Sequence, residues 1–79
     1  MMQKLGEAIR DNTNEDEIVF LNGYKPEPQV MYYARRNMLR AADTTAVQEI
    51  LEERNAKKGV LFTIDYYTVK KIERVLNDE

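Results

Sequence analysis

The stretch Glu17-Ile18-Val19-Phe20-Leu21-Asn22-Gly23-Tyr24-Lys25-Pro26-Glu27-Pro28 decides the fold. It opens with a short apolar run that contains two β-branched residues, Ile18 and Val19, behind the polar residues 11–16. That pattern reads as a buried strand over Glu17 to Leu21. Gly23 permits a sharp exit, Pro26 and Pro28 prevent further ladder pairing, and Pro28 suits the first turn of a helix. The tyrosine- and arginine-rich helix Gln29 to Arg36 follows. In open α/β sheets, ligands and partners gather at loops that lead from a strand into a helix, so this loop is the first place to look for function.

Outward from this unit the chain alternates. Leu5, Ala8 and Ile9 share one helical face, and Asn12-Thr13-Asn14 supplies a stop, which predicts a helix from Met2 to Asp11. Downstream, Met38 to Ala42 is a brief apolar run that fits a short second strand. Asp43, Thr44 and Thr45 are all suited to cap a third helix, with Thr45 and Gln48 spaced as a capping box and Val47, Ile50 and Leu51 as its core stripe. Lys57-Lys58-Gly59 reads as that helix's positively charged end and its glycine stop. Val60 to Ile64 is nearly continuous in apolar residues and suits a strand covered on both faces. Asp65 is then expected to cap a fourth helix whose apolar positions are Val69, Ile72, Val75 and Leu76. The sum is an α/β chain: a small three-layer α/β/α sandwich with a three-stranded, mostly parallel sheet, four helices, and the first strand at the centre beside a topological switch.

Composition narrows the function classes. At 79 residues there is room for one α/β domain, spanning 1–79. With 43% hydrophobic and 33% charged residues the chain is too apolar to be disordered. A net charge of -2 and a pI near 5.2 argue against nucleic acid as partner, because there is little positive charge to displace counterions from phosphates. No apolar run approaches the roughly 18 to 20 residues that span a bilayer. Met1 and Met2 together fit an initiator added to a piece of a larger protein, and equally a natural Met-Met start. Cys, His and Ser are absent, which removes the usual zinc ligands, thiol and serine nucleophiles and imidazole bases.

What chemistry remains lies in a few clusters. Gly23 stands alone, without the further glycines of a dinucleotide fingerprint or the Gly-Lys-Thr of a P-loop, so no cofactor is expected. The run Asn14-Glu15-Asp16-Glu17 lacks the alternating ligands and glycine of a calcium loop, so no metal is expected and a solvated turn is the plainer reading. Tyr32, Tyr33, Arg35 and Arg36 form the most distinctive cluster. Adjacent tyrosines on a helix point about 100° apart, so one enters the core and the other reaches its rim. An exposed tyrosine beside a guanidinium could grip an anionic or sugar-bearing ligand, whereas the plainer reading is amphipathic packing with arginines offsetting the helix dipole. Asp65 and Tyr66, at the end of the last strand, share the sheet edge of Tyr24, Lys25 and Glu27 if the strands are parallel, which makes a common groove geometrically plausible. Asp65 fits capping better than general-base work, and nothing in the spacing makes Glu27 and Asp65 an acid and base pair.

The pattern resembles the soluble C-terminal region of polytopic membrane glycosyltransferases of the dolichyl-phosphate-mannose-protein mannosyltransferase type, including relatives that use polyprenyl-phosphate sugars. The resemblance lies in Ala8-Ile9-Arg10, Thr13, Asp16, Ile18-Val19-Phe20, Gly23, Pro28 and Tyr32-Tyr33-Ala34-Arg35-Arg36, and so covers the first half. It implies a non-catalytic accessory domain on the extracytoplasmic face, packed against the membrane-embedded part of the same parent chain and helping to shape the side that receives a glycan or protein acceptor. The catalytic acids of that family lie in its membrane part, so none is carried over, and contact would fall to Tyr24 to Glu27 and Tyr32 to Arg36. Two other classes are open. One is a free-standing flavodoxin-like module, cytoplasmic in that case, that binds a ligand or protein at the switch point. The other is a minimal hydrolase or transferase that works through Glu27 or Asp65.

Overall fold

A computed structural model describes residues 1–77. Helix α1 spans Met2–Asp11, strand β1 Ile18–Asn22, helix α2 Pro28–Ala34, strand β2 Met38–Arg40, helix α3 Thr44–Glu53, strand β3 Lys58–Asp65 and strand β4 Thr68–Leu76. The sheet runs β2-β1-β3-β4. β1 is parallel to β2 and to β3, while β4 returns antiparallel along β3.

Each parallel strand alternates its side chains between two cores. On one face Val19, Leu21, Val60, Phe62, Ile64 and Met38 pack against Leu5 and Ile9 of α1 and Val30 and Ala34 of α2. On the other, Phe20 and Leu61 pack against Val47 and Leu51 of α3. Because both faces are covered, β1 and β3 read as unbroken apolar runs rather than alternating ones. The α1–α2 crossing is close. Gly6 lies where a Cβ would come within 2.6 Å of Tyr33 Cβ and 2.9 Å of the Val30 carbonyl oxygen.

Several expectations are corrected here. The sheet has four strands and the described residues hold three helices, because the segment expected to form the last helix is β4. Its apolar residues do not make a stripe. Val69 packs towards the first core and Val75 towards the second, while Ile72 is 37% and Leu76 62% exposed. A register shift at Thr63/Ile64 breaks the two-residue period that would have revealed a strand. Asp65 caps nothing, and instead ends β3 opposite Thr68 across a two-residue turn, Tyr66-Tyr67. Helix α2 stops at Ala34, since Arg35 adopts the left-handed conformation (φ 56°) and its N–H donates to the Met31 carbonyl at 2.8 Å. Helix α3 stops at Glu53, with Asn55 taking the left-handed position (φ 53°), so Lys58 and Gly59 belong to β3 rather than to a helix end. Its cap is Asp43, whose Oδ1 accepts from the Ala46 N–H at 2.9 Å. Gln48, expected in a capping box, reaches instead to Glu52 and Asn77.

The acidic turn before β1 is more ordered than a solvated turn. Glu17 is only 9% exposed, accepts from the Asn14 N–H at 2.7 Å, and faces Arg74 Nε of β4 at 3.5 Å. Asn77 is likewise buried, donating from Nδ2 to the Ala56 carbonyl at 3.1 Å and so tying the end of β4 to the exit of α3.

Candidate site on the carboxyl edge of the sheet

The residues singled out from the sequence divide between the two ends of the molecule. Helix α2 runs back along the parallel sheet, so its Pro28 end lies at the carboxyl edge of the strands and its Arg35 end at the opposite edge. Tyr24, Lys25, Glu27, Asp65 and Tyr66 are therefore at the first edge, and Arg35 and Arg36 at the second. Arg36 is a clamp there. Its Nη2 donates to the Thr13 carbonyl at 3.2 Å, and Thr13 Oγ1 in turn donates to the Ile9 carbonyl at 2.8 Å, which fastens the end of α2 to the end of α1. Tyr32 and Tyr33 meet edge to face at 5.3 Å on the outer side of α2, Tyr33 packed over Gly6 and Tyr32 77% exposed. Arg35 and Arg36 therefore do not share an edge with the Gly23 loop.

At the carboxyl edge the loop after β1 and the β3–β4 turn do come together. Gly23 has φ 82°, and a Cβ there would collide with the Ile64 carbonyl oxygen. Both facts demand glycine, because the left-handed region and the close backbone approach each exclude a side chain. This approach brings Tyr24 edge to face against Tyr67, with ring centroids 5.5 Å apart, and Tyr67 continues to Tyr66 at 6.1 Å. The Tyr24 hydroxyl sits inside this packing with no partner in hydrogen-bonding geometry among the described residues. Burial pushes its pKa up from 10.0 to about 12, with the nearby Glu27 carboxylate and then Tyr67 adding to the rise. Glu27 itself is half-buried at the start of α2, and Lys25 and Asp65 are exposed.

The turn that carries Tyr66 and Tyr67 has φ 50° and 62° at its two central positions. Positive φ at both is the signature of a type I′ hairpin, whose usual occupants are Asn and Gly. Bulky residues are disfavoured there. Tyr67 recovers some of that cost through Tyr24. Tyr66, 81% exposed, recovers little. Tyr67 was not among the expected site residues, because no Asn-Gly signal marked a hairpin and the segment read as the start of a helix.

A second feature lies on the other side of Tyr24. From β1 the chain leaves for α2 on one face, and from β2 it leaves for α3 on the other. A cleft of about 370 Å³ opens where they part, walled by residues 21–25 and 40–42. Arg40 was read from the sequence only as part of a strand, although it is the one charged side chain in the run 38–42.

Among the described residues no cluster of His, Cys, Asp and Glu is placed to hold a metal ion, and no helix is long and apolar enough to cross a membrane. Comparison with protein-family models, with curated proteins and with solved structures finds no match.

Proposed function

We propose that the chain is a non-catalytic accessory domain of a polytopic membrane glycosyltransferase that uses polyprenyl-phosphate sugars. In this reading it rests on the extracytoplasmic face against the membrane-embedded part of the same parent, and offers the aromatic rim Tyr24, Tyr67 and Tyr66 to a glycan or protein acceptor. The observation that carries a recognition role is Tyr66, an exposed ring held at φ 50°. A side chain kept in a disfavoured backbone region without burial in return points to use outside the fold's own stability. Its flat apolar face and polar tip suit a sugar ring or an extended hydroxyl-bearing peptide. The sequence resemblance supplies the parent class. Arg36 drops out of the acceptor surface, since it is engaged in joining two helices.

The test is Tyr66→Asn. In the isolated chain this variant melts at the same or a higher temperature, the relief of turn strain being worth about 0.5 to 1 kcal/mol. In the membrane enzyme it raises the KM for acceptor several-fold with little change in kcat. Loss of stability with unchanged acceptor KM overturns the recognition role. The parent reading frame should encode many hydrophobic spans, and a frame with none overturns the membrane placement.

A second reading, a free-standing ligand-binding module of flavodoxin-like shape, is favoured by the cleft between β1 and β2. It places function beside Lys25 and Arg40 instead of at Tyr66.

A further inference from the structure

In open α/β sheets ligands bind in a crevice outside the carboxyl ends of the strands. Here that crevice lies between β1 and β2, and its wall has a distinct charge. Lys25 and Arg40 are its only charged side chains, both exposed, and neither forms an ion pair or a side-chain hydrogen bond among the described residues. Two cations and no carboxylate line this concave surface, in a chain of net charge -2. The neighbouring carboxylate, Asp43, caps α3 through Oδ1 and lies outside the lining of the cleft. The rest of the wall is formed by Leu21 and Tyr24, the small residues Gly23, Ala41 and Ala42, and Asn22, which adds an amide.

We propose that this cleft binds a small phosphate monoester, with the phosphate held between Lys25 and Arg40 and the esterified group lying over Ala41 and Ala42. The guanidinium offers a planar fork that matches two phosphate oxygens, and the ammonium supplies a point charge from the other wall. At about 370 Å³ the space suits a ligand the size of a sugar phosphate. The site does not depend on the accessory-domain reading, because the aromatic rim lies towards β3 and β4 while the cleft lies towards β2. The phosphate could belong to a free metabolite or to a lipid headgroup; the chemistry at the two cations is the same.

The experiment is a titration of the ¹⁵N-labelled chain, followed by amide shifts, with three probes at matched ionic strength: inorganic phosphate, glucose 1-phosphate, and phosphatidylcholine vesicles containing phosphatidic acid. Saturable shifts or broadening centred on Gly23, Lys25, Ala41 and Ala42 are expected with at least one of them. Response to glucose 1-phosphate alone assigns a free ester, and response to the vesicles alone assigns a headgroup. The double variant Lys25→Gln, Arg40→Gln should weaken binding about tenfold or more, as expected when charge-assisted hydrogen bonds are lost. Lys70→Gln with Lys71→Gln, on the far edge strand, should leave it unchanged. Shifts that follow ionic strength only, or that fall equally in both double variants, overturn the proposal.

Discussion

Tyr24 joins the two halves of the carboxyl edge, and the fold alters the protonation of its hydroxyl. With its pKa pushed from 10.0 to about 12, the folded chain keeps a proton that the unfolded chain has already released. The sign follows from linkage: this contribution is complete below pH 10, and stability is lost as pH rises from 10 towards 12. Tyr24→Phe should therefore flatten the alkaline limb of a melting-temperature profile across that window. At neutral pH it should cost no more than about 0.5 kcal/mol, because the hydroxyl that it removes has no hydrogen-bond partner to lose. A variant whose alkaline limb superimposes on the unmodified chain would refute the assignment. Glu17 shows the limit of reading single residues. In sequence it is one of several acids in a polar turn, and only the return of β4 brings Arg74 to it and closes it off from solvent.

Among elements, α1 and α2 show how a small residue sets a crossing. Alanine is worth about 1 kcal/mol more than glycine in a helix interior, so propensity alone favours Gly6→Ala. The new Cβ would lie 2.6 Å from Tyr33 Cβ and 2.9 Å from a backbone oxygen, neither of which can rotate away. Overpacking of this kind costs about 1 to 3 kcal/mol. The clash outweighs the gain, and the variant should be less stable by up to about 2 kcal/mol in urea titration, whereas a stabilised Gly6→Ala would mean that the helices are further apart. Element boundaries that depend on local chemistry were legible: α1 at Met2–Asp11, Pro28 opening α2 and the short β2 follow from stops and turn residues, whereas the cap of α3 stood open among Asp43, Thr44 and Thr45 and fell to Asp43. β4 was not. Val69, Ile72, Val75 and Leu76 have helical spacing, and the register shift at Thr63/Ile64 together with a tyrosine turn erased the two signals, alternation and Asn-Gly, that mark a hairpin.

At the scale of the whole molecule, β1 and β3 are paired on both sides and covered on both faces, while β2 and β4 are edges. β4 guards its free edge with Lys70, Lys71 and the register shift. Hydrogen-bonded amides at Val19 to Leu21 and Val60 to Phe62 should exchange by global unfolding, and those of β4 should exchange faster through local opening. Equal protection in β4 and β3 would show instead that the edge strand opens only with the core. The radius of gyration, 11.5 Å, is close to the roughly 12 Å of compact chains of this length, so a fourth strand in place of a fourth helix leaves the packing tight.

By itself the chain determined the α/β class, the central position of β1 and the glycine turn that ends it, because those rest on local periodicity, turn chemistry and the crossover rule. The tertiary structure alone decided the antiparallel fourth strand, the burial of Glu17, the placing of Arg36 as a clamp far from the rim, and the meeting of Lys25 with Arg40 in one cleft. The last three of these depend on residues at least 15 positions apart, while β4 was hidden by its register shift and its tyrosine turn. A contact between distant segments leaves no trace in the spacing of either one.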